Sequence, residues 1–178
     1  MHEVLDNREM LLQMSKEQLV DIIEMHSKSC IALDGVWFQS VERAEGMDAA
    51  MLHDANAWER FTVTEARRIK QFLGLDDRPG LDGLDKALRF RFYANLNEQE
   101  IEREGNRLVY TMRVCRVQHA RARKGLPFHP CKSVGIIEYG GFARAIDDRI
   151  SCRCLSCYPD IEDDSCSCKW EFTLEGEG

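Results

Sequence analysis

The sequence predicts an α+β domain in which N-terminal helices pack on a small antiparallel sheet, and three observations predict it. Apolar residues recur at helical spacing up to about residue 93. From residue 94 onward the period shifts toward two. The strand-like segments follow the helices instead of alternating with them, which argues against a parallel sheet built from β-α-β units. With 178 residues the chain suits one domain, 1–178, with a helical part over 1–93 and a mixed, cysteine-rich part over 94–178. A chain of this length buries about 70% of its unfolded surface, so a core can form without covalent staples.

The first helix is read from "SKEQLVDIIEMHSKSCIAL", where Ser15 and Gln18 form a capping-box signature and Leu19, Ile22, Ile23 and His26 share one face. A second helix is expected from Gly35 to Glu45, ended by Gly46. A third starts at the cap Asp48 and runs, with a bend near "FTVT", to Gly74, which is placed to close it in a left-handed conformation. "DDRPGLDG" reads as a loop. Asp82 is then expected to cap a shorter helix that carries Leu84, Leu88 and Phe92.

In "RLVYTMRVCRV" Leu108, Tyr110, Met112 and Val114 alternate with Val109, Thr111, Arg113 and Cys115, the pattern of a half-buried strand. "EREGN" before it is a turn, and strand-forming residues from Leu96 to Ile101 complete a hairpin. "CKSVGIIEYGGFARAI" has helical spacing at Val134, Ile137, Phe142 and Ile146, against the preference of Gly135, Gly140 and Gly141. Two last strands, Ile150 to Cys157 and Ser165 to Leu174, are joined by the acidic loop "YPDIEDD".

The formal net charge of -7 opposes the long-range attraction to phosphate on which binding to nucleic acid and to anionic membranes depends, so neither partner is expected. Arg113, Arg116, Arg121, Arg123, Lys124 and Lys132 form a local exception with no acid among them. A solvated basic face explains that strip better than an anion site does. "MHEVLDNREM" lacks a basic segment followed by an apolar run, and no stretch of about eighteen apolar residues occurs. A soluble, cytoplasmic protein with reduced thiols is expected.

Five of the eight cysteines lie in "CRCLSCYPDIEDDSCSC". Strand parity places Cys166 and Cys168 with Trp170, Phe172 and Leu174 on the core face, and Cys152 and Cys154 with Ile150. Antiparallel pairing then sets Cys154 opposite or diagonal to Cys168, and Cys157 follows Cys154 as C-x-x-C. Three readings compete: a metal held by thiolates, zinc or an iron-sulfur cluster; reduced thiols that pack as small hydrophobes; and a redox pair. The packing reading suits Cys30, alone on its helix, and suits five cysteines in seventeen residues less well. Cys115, with His119 four residues on and both near a strand end, and Cys131, at a helix start, extend the set. A helix N-terminus lowers a thiol pKa, which makes Cys131 the candidate reactive thiolate. His129 beside it is a candidate base or ligand, weighed against an exposed loop histidine. No Ser/His/Asp triad can be picked out.

Trp37, Phe38, Val41, Met47, Met51, Trp58 and Phe61 are enough bulky groups to line an apolar pocket, with Glu42, His53, Asp54, Glu65, Arg67 and Arg68 close in sequence. Most such stripes are core, and most such charges are surface ion pairs.

The run "DGVWFQSVERAEGMDAAMLHDANAWERFTVTEARRIKQFLGL", then "CRVQHARARKGLPFHPCKSVGIIEYGGFARAIDDRI", "CLSCYPD" and "CKWEF", resembles a family of uncharacterised prokaryotic cytosolic proteins over most of the chain. The C-terminal half is more remotely similar to the 4-vinyl reductase (V4R) domains and to the L-2-amino-thiazoline-4-carboxylic acid hydrolase family. Those resemblances rest on a cysteine near a helix and a final cysteine-containing strand, here Cys157 and "CSCKWEF". By the first resemblance Cys115, Cys131, Cys154, Cys157 and Cys168 match the family motif, with Cys152 and Cys166 as additions. The V4R resemblance implies a V4R-like C-terminal half and a regulatory ligand-binding module that holds a metal and a small hydrophobic molecule. The hydrolase resemblance implies opening of a small sulfur heterocycle, with Cys131 or a metal-bound water attacking.

The expectation drawn from both is a ligand-binding or sensing module with zinc near Cys131, Cys154, Cys157 and Cys168, with Cys115 as a further ligand, and an apolar cavity between helices and sheet. An iron-sulfur cluster is the alternative cofactor. The alternative function is a small hydrolase using Cys131 or Cys115 with His119 or His129. A small-molecule ligand is the expected partner, and a homodimer the default assembly.

Overall fold

A computed structural model describes residues 6–176. The elements run α1 (Asn7–Leu12), α2 (Lys16–Glu45), α3 (Met47–Leu73), α4 (Gly80–Leu88), β1 (Glu98–Glu104), β2 (Arg107–Val114), α5 (Arg116–Arg123), α6 (Lys132–Ile146), β3 (Ile150–Cys157) and β4 (Cys168–Leu174). The class is α+β. The four strands form one antiparallel sheet in the order β1-β2-β4-β3, with the last strand in the middle. Among the described residues no helix is long and apolar enough to cross a membrane.

Helices α2 and α3 are antiparallel rods hinged at Gly46, whose φ of 91° is available to glycine at little cost. The capping box at Ser15 and Gln18 forms as the sequence predicts, and Gly74 closes α3 in the left-handed region. The separate helix expected from Gly35 is the C-terminal half of α2, which runs unbroken through that glycine. One interior glycine costs about 1 kcal/mol relative to alanine and does not stop a helix whose face is packed. Met47, not Asp48, begins α3. Asp82 lies within the first turn of α4, which starts earlier, and Phe92 lies beyond its end.

α6 packs on the sheet through β3 and on α3 behind it, and α2 packs on the outside of α3. Two of its glycines permit that approach. A Cβ on Gly135 would lie 2.6 Å from the Trp170 ring, and one on Gly141 would lie 2.8 Å from the Thr62 methyl. The residues that weaken a helix by propensity here let it touch both neighbours.

The core is formed by Leu81, Leu84 and Leu88 of α4, Tyr139, Phe142 and Ile146 of α6, and Leu108, Tyr110, Met112, Trp170 and Phe172 of the sheet. Buried charge runs through it. Arg91 has no exposed side-chain surface, lies 2.9 Å from Glu65 and 2.7 Å from Glu138, and has its guanidinium 4.5 Å from the Tyr93 ring centre and 4.7 Å from that of Phe142. The outer face of the sheet carries Glu171 between Arg107 and Arg153.

Candidate functional site: a thiol-lined aromatic cavity

A cavity of about 380 Å³ opens between the helices and the sheet, a volume within the range of small-molecule sites. Phe38 of α2, Trp58 of α3, Phe92, Tyr93, Tyr139 of α6 and Trp170 of β4 supply its aromatic wall. Trp170 is 1% exposed and stacks on Tyr139 with ring centres 4.7 Å apart. Its indole Nε1 is buried without a hydrogen-bond partner among the described residues. A buried donor without a partner costs about 1–3 kcal/mol.

The thiols gather at one end. Cys157 pairs across the sheet with Cys168, and Cys154 pairs with Trp170, diagonal to Cys168. A bulge between Cys154 and Ser156 shifts the register and lets Cys157, three residues on, join the face of Cys152 and Cys154. Cys131 stands before the first turn of α6, where Lys132 N–H donates to Tyr158 O at 3.0 Å and ties the helix start to the end of β3. The Cys131 and Cys157 sulfurs are consequently 3.5 Å apart.

Their chemistry differs from the expected reactive thiolate. The hydrogen bond to Cys157, then burial, hold the Cys131 pKa far above the usual thiol range. The contact with Cys131 works to lower the Cys157 pKa, but the neighbouring Cys168 thiol and burial outweigh it and the net direction is upward. Burial also raises Cys154 and Cys115, and pushes Cys152 up to about 12. The short reach of a helix terminus loses to desolvation here.

Two thiols stand at about the sulfur spacing of a tetrahedral zinc site, which is ~3.8 Å for zinc-sulfur bonds of about 2.3 Å. Cys168 and Cys154 are the next thiols around Cys157. Among the described residues no group of three or more His, Cys, Asp or Glu side chains is arranged to hold a metal ion.

Cys115 lines the cavity and immediately precedes α5, a helix where the sequence suggested a strand end. Its N–H donates to Ser167 Oγ at 3.0 Å. His119 is exposed on α5 and does not border the cavity. Cys30 is exposed, contrary to the buried role expected of it. Cys166 precedes β4, where its thiol donates to Asp163 O at 3.6 Å and feels the charges of Asp163, Lys169 and Arg113, apart from the cluster.

His129 is no exposed loop histidine. Its Nε2 lies 3.3 Å from Asp54 Oδ2 and 3.1 Å from Met51 Sδ, and its ring meets Phe38 edge-on with centres 4.6 Å apart. Gln118 positions it from α5. The Gln118 amide donates to His129 O at 2.7 Å, accepts from His129 N at 2.9 Å and lies 3.5 Å from Cys131 Sγ. Arg121 anchors the same loop, with Nε donating to Pro127 O at 2.5 Å and a bidentate pair to Glu42 at 2.9 and 2.7 Å. The basic strip is largely committed in this way, with Arg113 on Glu100 and Lys132 on Asp160.

Carboxylates line the cavity as well. Glu138 accepts from Arg91 and from the Tyr93 hydroxyl, and burial pushes its pKa upward against both. Asp34 sits at the mouth, open to solvent on one side, and makes no hydrogen bond or ion pair among the described residues. Desolvation of its inner side, with the nearby charge of Asp54, pushes its pKa up to about 6.

Asp34, Gln118, Glu138, Tyr139 and Trp170 were not singled out as site residues in the sequence. For Glu138 a signal existed, because it falls on the α6 stripe Val134, Glu138, Phe142, where a charge is out of place. Of the aromatic group expected to line a pocket, Phe38 and Trp58 do so, whereas Trp37 and Phe61 are exposed.

Residues 11–174 match the family described as "Family of unknown function (DUF6125)". The chain belongs to that family. No curated protein and no solved structure matches it, and the comparisons add no link to the V4R domains or the hydrolase family.

Proposed function

We propose that this member of a family without an assigned activity is a cytosolic binding or sensing module that takes a small, largely apolar molecule into the cavity between helices and sheet. The observation that carries the reading is the cavity of about 380 Å³ walled by Phe38, Trp58, Phe92, Tyr93, Tyr139 and Trp170. The remote V4R resemblance agrees with it. The hydrolase alternative finds less support, because the thiols that would attack are held protonated by burial and by one another.

Gly35 offers the test. It borders the cavity, and a Cβ there meets nothing closer than Gln39 Nε2 at 3.9 Å. Gly35→Phe should fill the space and keep the fold. Indole is expected to bind the natural protein saturably by calorimetry and to bind Gly35→Phe at least about tenfold more weakly, at an unchanged melting temperature. Absence of saturable binding, or binding unchanged in Gly35→Phe, would overturn the reading.

A thiolate-held zinc, or an iron-sulfur cluster, is a separate proposal that the Cys131–Cys157 spacing supports for two ligands of four. Cys154 and Cys168, which already neighbour Cys157, would complete the set. Protein purified without chelator should then carry about one zinc per chain, and Cys157→Ser should lose it. Less than about a tenth of that amount would leave the cluster as reduced thiols.

A further inference from the structure

We infer that the ligand is an organic cation: a small aromatic amine whose ammonium group sits against Asp34 and whose body lies on the wall of Phe38, Trp58 and Tyr93. The inference rests on the cavity reading and adds the chemical class.

Three carboxylates, Asp34, Asp54 and Glu138, border the cavity. Asp54 and Glu138 both act on Asp34 unfavourably, and His129 is the nearby positive group that opposes them. The other acids have partners: Asp54 has His129 at 3.3 Å, and Glu138 has Arg91 and the Tyr93 hydroxyl. Asp34 alone has none among the described residues. Lys28, Arg116, Arg123 and Lys124 also border the cavity, yet none is among the charges acting on Asp34. A ligand cation at the mouth would complete the pairing that the protein leaves open.

The wall suits the same charge. Arg91 already rests its guanidinium 4.5 Å from the centre of Tyr93 and 5.8 Å from that of Trp58. These rings thus present electron-rich faces to a cation from one side, and they border the cavity on another. Asp54 and Glu138 are already balanced by His129 and Arg91, so the charge that a ligand at Asp34 would meet is the carboxylate of Asp34 itself.

Tyramine, tyrosol and para-hydroxyphenylacetate share one body and carry an amine, an alcohol and a carboxylate. Calorimetry near pH 7 should show tyramine binding about tenfold tighter than tyrosol, the worth of one charge-assisted contact. Asp34→Asn, a change at the exposed rim, should bring the two within about twofold and leave tyrosol unchanged. Tyrosol or the acid binding as well as tyramine, or a tyramine preference that survives Asp34→Asn, overturns the inference while the cavity reading stands. Failure of tyramine where indole binds also overturns it; failure of indole as well overturns the cavity reading.

Discussion

Arg91 Nη1 donates to Glu138 Oε1 at 2.7 Å from a side chain with no exposed surface. The contact joins the segment after α4 to the wall of the cavity, and Glu65 of α3 completes it at 2.9 Å. Removing the guanidinium would strand two carboxylates in a low-dielectric interior. Arg91→Ala is expected to destabilise the fold by about 3–5 kcal/mol in urea titration. A loss below about 1 kcal/mol would mean that Glu65 and Glu138 are rehydrated or protonated at little cost.

The thiol cluster should react late. Burial and mutual contact raise Cys115, Cys131, Cys154 and Cys157, whereas Cys30 is exposed. Alkylation by iodoacetamide near pH 7, mapped by peptide mass, should label Cys30 first. The four cluster positions should follow only above about pH 9, where thiolate becomes appreciable. Rapid labelling of Cys131 at neutral pH would restore the catalytic thiolate.

Proximity still favours one cross-link. The Cys131 and Cys157 sulfurs need to close from 3.5 Å to about 2.05 Å to form a disulfide. Diamide supplies the oxidant and takes up the two hydrogens that the thiols lose. The bridged peptide pair should contain Cys131 and Cys157, and Cys131→Ser should abolish it. A dominant bridge between Cys154 and Cys157 would show that the strand end rearranges more readily than the helix start.

Asp34 gives a pH signature. Its pKa is raised from 3.8 to about 6 in the fold, so the folded state binds the proton more tightly than the unfolded chain does. The ionised carboxylate therefore costs stability above about pH 6, and the cost vanishes as pH falls below about 4. Asp34→Asn should melt at a higher temperature than the natural protein near pH 7 and at the same temperature near pH 4. Equal melting at both values would mean that solvent at the mouth screens the carboxylate from Asp54 and Glu138.

Asp147 carries the opposite sign. Its Oδ2 accepts from Gly80 N at 2.8 Å and from Arg149 Nη2 at 2.9 Å, and Oδ1 accepts from Arg149 N at 3.1 Å. The hydrogen bonds of Arg149, foremost, lower its pKa from 3.8 to about 2. That depression stabilises the fold by about 2 kcal/mol above pH 4, and the contribution is lost as pH falls through 2. Asp147→Asn should remove this part of the acid dependence, read from denaturation at stepped pH.

Much of this architecture was legible because periodicity reports burial. Leu108, Tyr110 and Met112 alternate in the sequence and lie in the core, although Val109 and Thr111 between them are buried as well, so that β2 is covered on both faces and not half-buried; Ser15 and Gln18 announce the start of α2. α5 was missed because "RVQHARAR" has little apolar period, its helix being held by Gln118 and Arg121 bonding to the loop that follows it. Parity correctly set Cys154 diagonal to Cys168; Cys166 is buried as expected, but it lies before β4 and is held by the loop at Asp163 instead of by the strand. The cavity itself was only half legible. Phe38 and Trp58 come from adjacent helices, while Tyr139 and Trp170 reach it from α6 and β4, and no local spacing encodes a meeting across a hundred residues.

The position of β4 has a consequence for how the chain is made. It is the last strand in sequence, yet it bonds to β2 on one side and β3 on the other. Until residue 174 has left the ribosome, the β1–β2 hairpin and β3 each present an open edge, and Trp170 is missing from the aromatic wall. The cavity therefore cannot form before β4 is in place. Its appearance marks closure of the sheet, and a molecule that binds there recognises only chains in which β4 has inserted between β2 and β3.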